Sequence, residues 1–434
     1  MQRDSGTLAH GLLGLYLVAL LAVPRLPTSL AALACIAALV GGFRGWRNDA
    51  RAGFRHMAPL VIPAAVYLLH LALQILAGMA PPQLSSQVLI GLMTLAVGLS
   101  GVPNRMPDVR RLLLPAAAVG AIATCLLALY QVWVIDILRP YGWLGGGDIG
   151  NGAIKFGDLA VLQALLAFVL VLTAADKARR LLGLAGLFAG VLALALTQTR
   201  GGLLGLLLAV AALGCALAPR RRGEGYPSPA TPVRAQDHPR SGRGGFAALI
   251  ALVAVLSLAA AGFMVDRFAL IQPQVQRYLE GDANSEVGQR LALWRAAVRA
   301  GMHEPLTGVG FGRFGAELDR QVTAGDRPGS EKILYGQPHS EYLSAFAEAG
   351  VSGFVSLLLM FVAPVVALVR QIRAGGASPA AYAALVTAAA FAGFALTDDM
   401  FDRQITVIAF FLLNAWFLRA AWSPGGRGAS VPVA

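Results

Sequence analysis

Few side chains in this 434-residue chain could do chemistry, because only 13% of them are Asp, Glu, Lys or Arg. Arg200 stands between Thr197-Gln198-Thr199 and Gly201-Gly202. The glycines permit a tight turn and a close approach of backbone to a ligand. A helix starting just after them would aim backbone N–H groups at the same point, which favours an anion such as phosphate. The competing reading is an arginine that snorkels to the membrane interface. In the run Gly288 to Arg299, Leu291, Trp294 and Val298 recur at helical spacing, which predicts an amphipathic helix on the outer membrane surface. Arg295 and Arg299 share its polar face, whereas Arg290 points about 140° away at 100° per residue. Arg290, beside Trp294, is the better candidate for a buried phosphate contact, since a guanidinium grips phosphate oxygens bidentately.

His339, in Gln337-Pro338-His339-Ser340-Glu341-Tyr342, is one of six histidines. A neutral imidazole with an ordinary pKa of about 6.5 can deprotonate a hydroxyl nucleophile. Glu341 and Glu348 fall on one helix face, which leaves the histidine without an evident partner. Asp398, Asp399 and Asp402, with Arg403, read as a solvated acidic turn. The run Gly308 to Gly315 contains GxGxG, but no strand–helix unit surrounds it, so a dinucleotide fingerprint is rejected in favour of a turned segment positioning its loop. Cys35, Cys125 and Cys215 lie in apolar runs without metal-ligand spacing, so neither disulfides nor zinc are implied. No P-loop and no Ser–His–Asp order is visible, and no metal or cofactor is expected. The expected outer side thus offers cations and one base, which suits handling of a lipid-linked phosphate.

The elements that must position these residues are membrane helices. At 57% hydrophobic the chain exceeds what a soluble core absorbs, so the bilayer is its solvent. A span needs about 20 apolar residues. Twelve candidates lie at about 7–23, 29–43, 58–79, 87–102, 112–136, 156–175, 181–197, 201–218, 245–264, 346–369, 380–397 and 404–420. The net charge of +12 does not indicate nucleic acid, because the basic residues cluster in every second short loop: Arg44 to Arg55, Arg105 to Arg111, Lys177 to Arg180, 219–244, and Arg370 with Arg373. That alternation marks the cytoplasmic side and puts both termini there, in a multi-pass inner-membrane protein without a cleavable signal peptide. Residues 1–264 then hold spans one to nine, with 219–244 a disordered cytoplasmic linker. Residues 265–345 form a long ordered periplasmic loop of the functional kind, and 346–434 hold the last three spans and the tail.

Three pieces in this order resemble the O-antigen ligase and polymerase superfamily. They are Thr197-Gln198-Thr199-Arg200-Gly201-Gly202, the Arg290/Trp294 helix leading to Pro305 and Gly308-Val309-Gly310, and Pro338-His339-Ser340-Glu341-Tyr342 followed by Glu348-Ala349-Gly350; Asn151 to Asp158 also looks like a family stretch. The family usually has Ser-Arg-Gly and His-Asn; Thr199 and Ser340 are mild departures. The resemblance implies an all-α, GT-C-like membrane fold and an inverting, metal-independent glycosyl transfer on the periplasmic face. The donor would be a glycan on undecaprenyl diphosphate and the acceptor lipid A–core. Arg200 and Arg290 would hold the diphosphate and His339 would be the general base; Lys155, Arg295, Arg299 and Arg313 would meet acceptor phosphates. An O-antigen polymerase and a protein O-oligosaccharyltransferase share these motifs, and the single dominant loop favours the ligase. A transporter of a lipid-linked anion would instead show repeats and midplane charges.

Overall fold

The computed structural model describes residues 2–42, 46–100, 102, 109–144, 149–218, 262, 265–324 and 336–422. Every regular element among them is a helix. This follows from the solvent: in lipid a backbone amide finds no water, so an apolar stretch must satisfy its hydrogen bonds within itself. The first group comprises α1 (Gln2–Ala19), α2 (Leu26–Gly42), α3 (Trp46–Leu76), α4 (Ser85–Leu99), α5 (Leu113–Trp133), α6 (Ile149–Thr173), α7 (Lys177–Thr197) and α8 (Arg200–Leu217). A connecting segment carries α9 (Val265–Ala269), α10 (Ile271–Leu279), α11 (Glu286–His303) and α12 (Phe314–Thr323). The chain closes with α13 (Glu341–Arg373), α14 (Pro379–Phe394) and α15 (Gln404–Ala421).

Eight of the described helices are long and apolar enough to cross a membrane: α3 to α8, α13 and α15. The apolar parts of α1, α2 and α14 are shorter. Eleven of the twelve expected spans thus coincide with described apolar helices. The expected linker at 219–244 lies outside the described residues, and so does the ninth span at 245–264 apart from Gly262. The protein is an all-α integral membrane protein.

α6 is the axis of the bundle, with 94% of its spanning stretch buried inside the protein. Between helices in lipid there is little hydrophobic drive, so close backbone approach across small residues does the packing. Accordingly, a Cβ on Gly190 of α7 would meet Ala164 Cβ of α6 at 2.6 Å. Gly205 of α8 lies against Gly393 and Phe394 of α14 just as tightly. Phe361, Phe391 and Phe410 pack edge-to-face with centroids 5.2 Å apart in two pairs, tying α13, α14 and α15 beneath the connection 395–403.

α13 is broken near its start. Gly350 has φ +64 and ψ −159, so residues 341–349 form a short arm set off from the long span. Only glycine fits there, because a Cβ would come within 2.5 Å of Pro305 O. The expected turned segment 308–312 is bolted to this arm: Val309 N–H donates to Ala347 O (2.9 Å) and Gly310 N–H to Glu348 O (3.0 Å). From α3, Gln74 donates to Thr307 O (2.7 Å) and accepts from Phe311 N–H (2.7 Å). α11 corrects the sequence reading of its apolar face. It buries Gly288, Ala292, Leu293, Ala296, Ala297, Ala300 and Gly301, while Val298 is exposed.

Candidate active site

The α7–α8 corner turns at Gln198, which takes a left-handed conformation (φ 53, ψ 38) and closes α7 through Leu194 O and Ala195 O. Thr199 is extended, and Arg200 is the first residue of α8. The sequence-expected turn is therefore present, but the glycines serve a different close approach. A Cβ on Gly201 would meet Thr397 Oγ1 at 2.4 Å, and one on either glycine would lie 3.3–3.4 Å from the buried Asp158 carboxyl.

Arg200 and Arg290 line one cavity of about 300 Å³, with Arg139, Trp294 and Thr397. Arg290 donates to Thr397 O at 2.6 Å, and Arg139 Nε to Thr197 O at 2.9 Å. Arg200 also rests 5.9 Å from the Phe268 ring centroid, within cation–π range. Ile271 and Val275 of α10 and Leu291 of α11 supply an apolar wall. Three guanidinium groups facing an apolar wall suit an anion that carries a lipid tail. Arg139, in the α5–α6 connection, escaped the sequence reading.

The connection 395–403 places the second half of the site. Asp398, Asp399 and His339 are 0%, 3% and 5% exposed, so the acidic turn expected to be solvated is buried. His339 Nδ1 lies 3.2 Å from Asp398 Oδ1, and Lys155 Nζ of α6 lies 2.6 Å from Asp398 Oδ2 and 3.1 Å from Asp402. Burial pushes the Asp398 carboxyl up, but the Lys155 ammonium and the His339 bond outweigh it and hold the group at about 2. An ionised carboxylate can only accept, so it selects the tautomer of the neutral imidazole with the proton on Nδ1 and the lone pair on Nε2. Burial and then the Asp398 charge raise Asp399 to about 6, against the donor from Ser344. Burial likewise raises Asp402, opposed by Lys155.

One ring nitrogen of His339 and one carboxylate oxygen of each of Asp398 and Asp399 come within 4.8 Å of one another, a spacing that a metal could use. The donor set argues otherwise. Asp398 Oδ1 and Oδ2 take His339 Nδ1 and Lys155, and Asp399 Oδ2 and Oδ1 take the His339 N–H and Ser344 Oγ. All four carboxylate oxygens thus serve donors of this chain, and the Lys155 ammonium stands in the place of a cation.

The two halves meet. Arg290 binds the carbonyl of Thr397, the residue before Asp398, and Trp294 Nε1 donates to Pro338 O at 2.9 Å, the residue before His339. The other singled-out cations are placed differently. Lys155 is fully buried on its aspartates, donating also to Asp399 O, and is thereby committed within the protein. Arg295 is exposed and Arg299 half-buried, away from the cavity-lining side of α11. Arg313 is exposed and donates to Gly78 O. Glu341 accepts from Tyr67 OH (3.4 Å) and Phe401 N–H (2.9 Å), and Glu348 from Phe314 N–H (3.4 Å).

Comparison with known proteins adds that residues 185–358 match the O-antigen ligase family. This stretch of the chain is similar to O-antigen ligase sequences. It contains Arg200, Arg290 and His339, whereas Lys155 and Asp398 lie on either side of it. A Haemophilus influenzae protein described as uncharacterized is 20% identical over 278 residues, covering 62% of this chain and 63% of that protein. The chain thus matches less than two thirds of that relative's length. The signal that could have found the His–Asp–Lys unit was Lys155 itself: a lysine inside an apolar run requires a buried acid.

Proposed function

We propose that this protein is an O-antigen ligase. It moves a glycan from undecaprenyl diphosphate onto a hydroxyl of lipid A–core, at the periplasmic face of a bacterial inner membrane. The observation that carries the reading is the His339–Asp398–Lys155 unit joined through Thr397 to a cavity lined by three arginines. The family match supports lipid-linked glycans in a membrane setting. In this reading His339 Nε2 takes the proton of the acceptor hydroxyl, whose oxygen attacks the anomeric carbon. The bond from that carbon to the diphosphate breaks, its electron pair passes to the diphosphate oxygen, and attack from the opposite face inverts the centre. Asp398, ionised by Lys155, stabilises the imidazolium that forms. Arg200 and Arg290 meet the charge developing on the leaving group, the role that positive charge plays in phosphate-releasing sites. Arg139 adds a third cation to that pocket. Arg295, Arg299 and Arg313, outside that cavity, would meet acceptor phosphates.

The test is a reconstituted reaction of purified protein with polyprenyl-diphosphate glycan and lipid A–core, run with a chelator, for wild type and His339→Ala. A glycan-capped lipid ladder that survives chelation and vanishes in the variant is expected. Longer glycans on the carrier would instead mark a polymerase, and glycan on protein a protein O-oligosaccharyltransferase. Movement of the donor across the bilayer with no product would mark a transporter.

A further inference from the structure

His339 is one of four described residues other than glycine with positive φ, at +53. A side chain stays in that region only where its surroundings hold it. The peptide unit linking Pro338 to His339 is gripped at both ends. Its carbonyl accepts from Trp294 Nε1 at 2.9 Å, and its N–H donates to Asp399 Oδ2 at 2.9 Å. Asp399 is in turn fixed by Ser344 Oγ on its other oxygen, from the arm that follows His339. Adjacent aspartates therefore reach one histidine from two sides: Asp398 takes the ring and Asp399 takes the backbone.

We propose that Asp399, supported by Ser344, is a positioning residue for the base: it locks the Pro338–His339 peptide plane and so sets the direction of His339 Nε2. The inference rests on the reading of His339 as general base. The carboxylate presents an acceptor to each of two donors. An amide could keep its oxygen on the His339 N–H and donate to the Ser344 oxygen, so only removing the side chain beyond Cβ releases the peptide. Released from this hold, His339 relaxes towards negative φ and its ring swings with it. A misplacement of about 1 Å at a reacting group costs on the order of a hundredfold in rate.

The experiment compares full-length wild type, Asp399→Ala and Ser344→Ala in lipid nanodiscs by two readouts. One is kcat and KM for glycan transfer; the other is hydrogen–deuterium exchange of the peptide containing the His339 amide, which needs no activity. For Asp399→Ala, kcat is expected to fall by about tenfold to a hundredfold with both KM values within about twofold, and the His339 amide loses protection. Ser344→Ala shows the same pattern at about tenfold or less, and carries the test if Asp399→Ala fails to fold. Wild-type kcat, or unchanged protection of the amide in a folded variant, overturns the proposal. A loss expressed in KM rather than kcat overturns it too, since it would place Asp399 in substrate binding. If the wild type transfers no glycan, the ligase reading fails, while the exchange readout still decides whether Asp399 holds the peptide.

Discussion

Replacing Lys155 by methionine keeps an unbranched apolar stem and removes the ammonium that holds two aspartates. The structure sets the scale. Asp398 sits at about 2 instead of its ordinary 3.8 despite full burial. At 1.36 kcal/mol per pKa unit, that is roughly 2.5 kcal/mol of net preference for the charged form. The largest cause opposing burial is the ammonium 2.6 Å away. Without it burial wins, and Asp398 moves up towards neutral pH and spends part of its time protonated. A protonated Asp398 no longer compels the Nδ1–H tautomer, so the base is lost for that fraction. Glycan transfer by Lys155→Met should fall by about a hundredfold or more at pH 7 and recover in part as pH rises, a limb absent from wild type. Stability should fall by about 3–5 kcal/mol, the usual cost of breaking one side of a buried ion pair. The assay is kcat against pH with a melting curve for each variant, and adding Asp398→Asn to Lys155→Met should cost little more because the two act as a unit. A Lys155→Met enzyme with wild-type rate and pH profile would refute the reasoning.

Gly350→Ala forces a side chain to φ +64 and against Pro305 O, so the melting temperature should drop by the equivalent of about 2 kcal/mol or more. Stability against pH carries two opposite signs. Asp398, depressed to about 2, contributes stability that is present above pH 3.8 and is lost as pH falls towards 2. Asp399, raised to about 6, contributes stability that is present below pH 3.8 and is lost as pH rises through 6. Melting curves of Asp399→Asn should therefore lose the decline in stability between pH 4 and 6 that wild type shows. Arg290→Lys keeps the charge but loses the planar fork, and should lower kcat/KM for the donor by about tenfold or more, with kcat falling, while acceptor KM holds. The double variant of Arg295→Ala with Arg299→Ala should weaken acceptor binding alone, measured as acceptor affinity; unchanged affinity would remove both from the site.

What the sequence disclosed depended on how local the signal was. The spans were legible because about 20 apolar residues announce themselves without reference to any neighbour. The break at the α7–α8 corner was legible for the same reason, since the polar run Thr197 to Arg200 interrupts two apolar ones. The aspartates were misjudged because the contact that buries them is 243 residues away, between Asp398 and Lys155. Nothing in a local acidic turn distinguishes hydration from such a partner. The face of α11 was misjudged for another reason. Large apolar residues mark a core by area, but this helix comes too close to the α13 arm to admit them. A Cβ on Gly301 would sit 2.5 Å from the Phe346 ring and 2.8 Å from Phe346 O. Small residues are the signature of such an approach, and they do not stand out in an alanine-rich chain. Arg139 stayed hidden in a connection with no periodic pattern to assign it a direction.

The interruption of α13 at Gly350 has a mechanical consequence. The arm 341–349, which follows the base and carries Ser344, is fastened to the 305–311 segment and to α3, and the rod 351–373 starts from the same segment, where Val351 N–H donates to Pro305 O (2.8 Å). Bilayers differ in thickness, and a helix answers a mismatch by tilting, at a fraction of a kcal/mol per Å. With the break at Gly350, a tilt of the rod does not run to His339 along one continuous helix axis; it must pass through the 305–311 segment and α3.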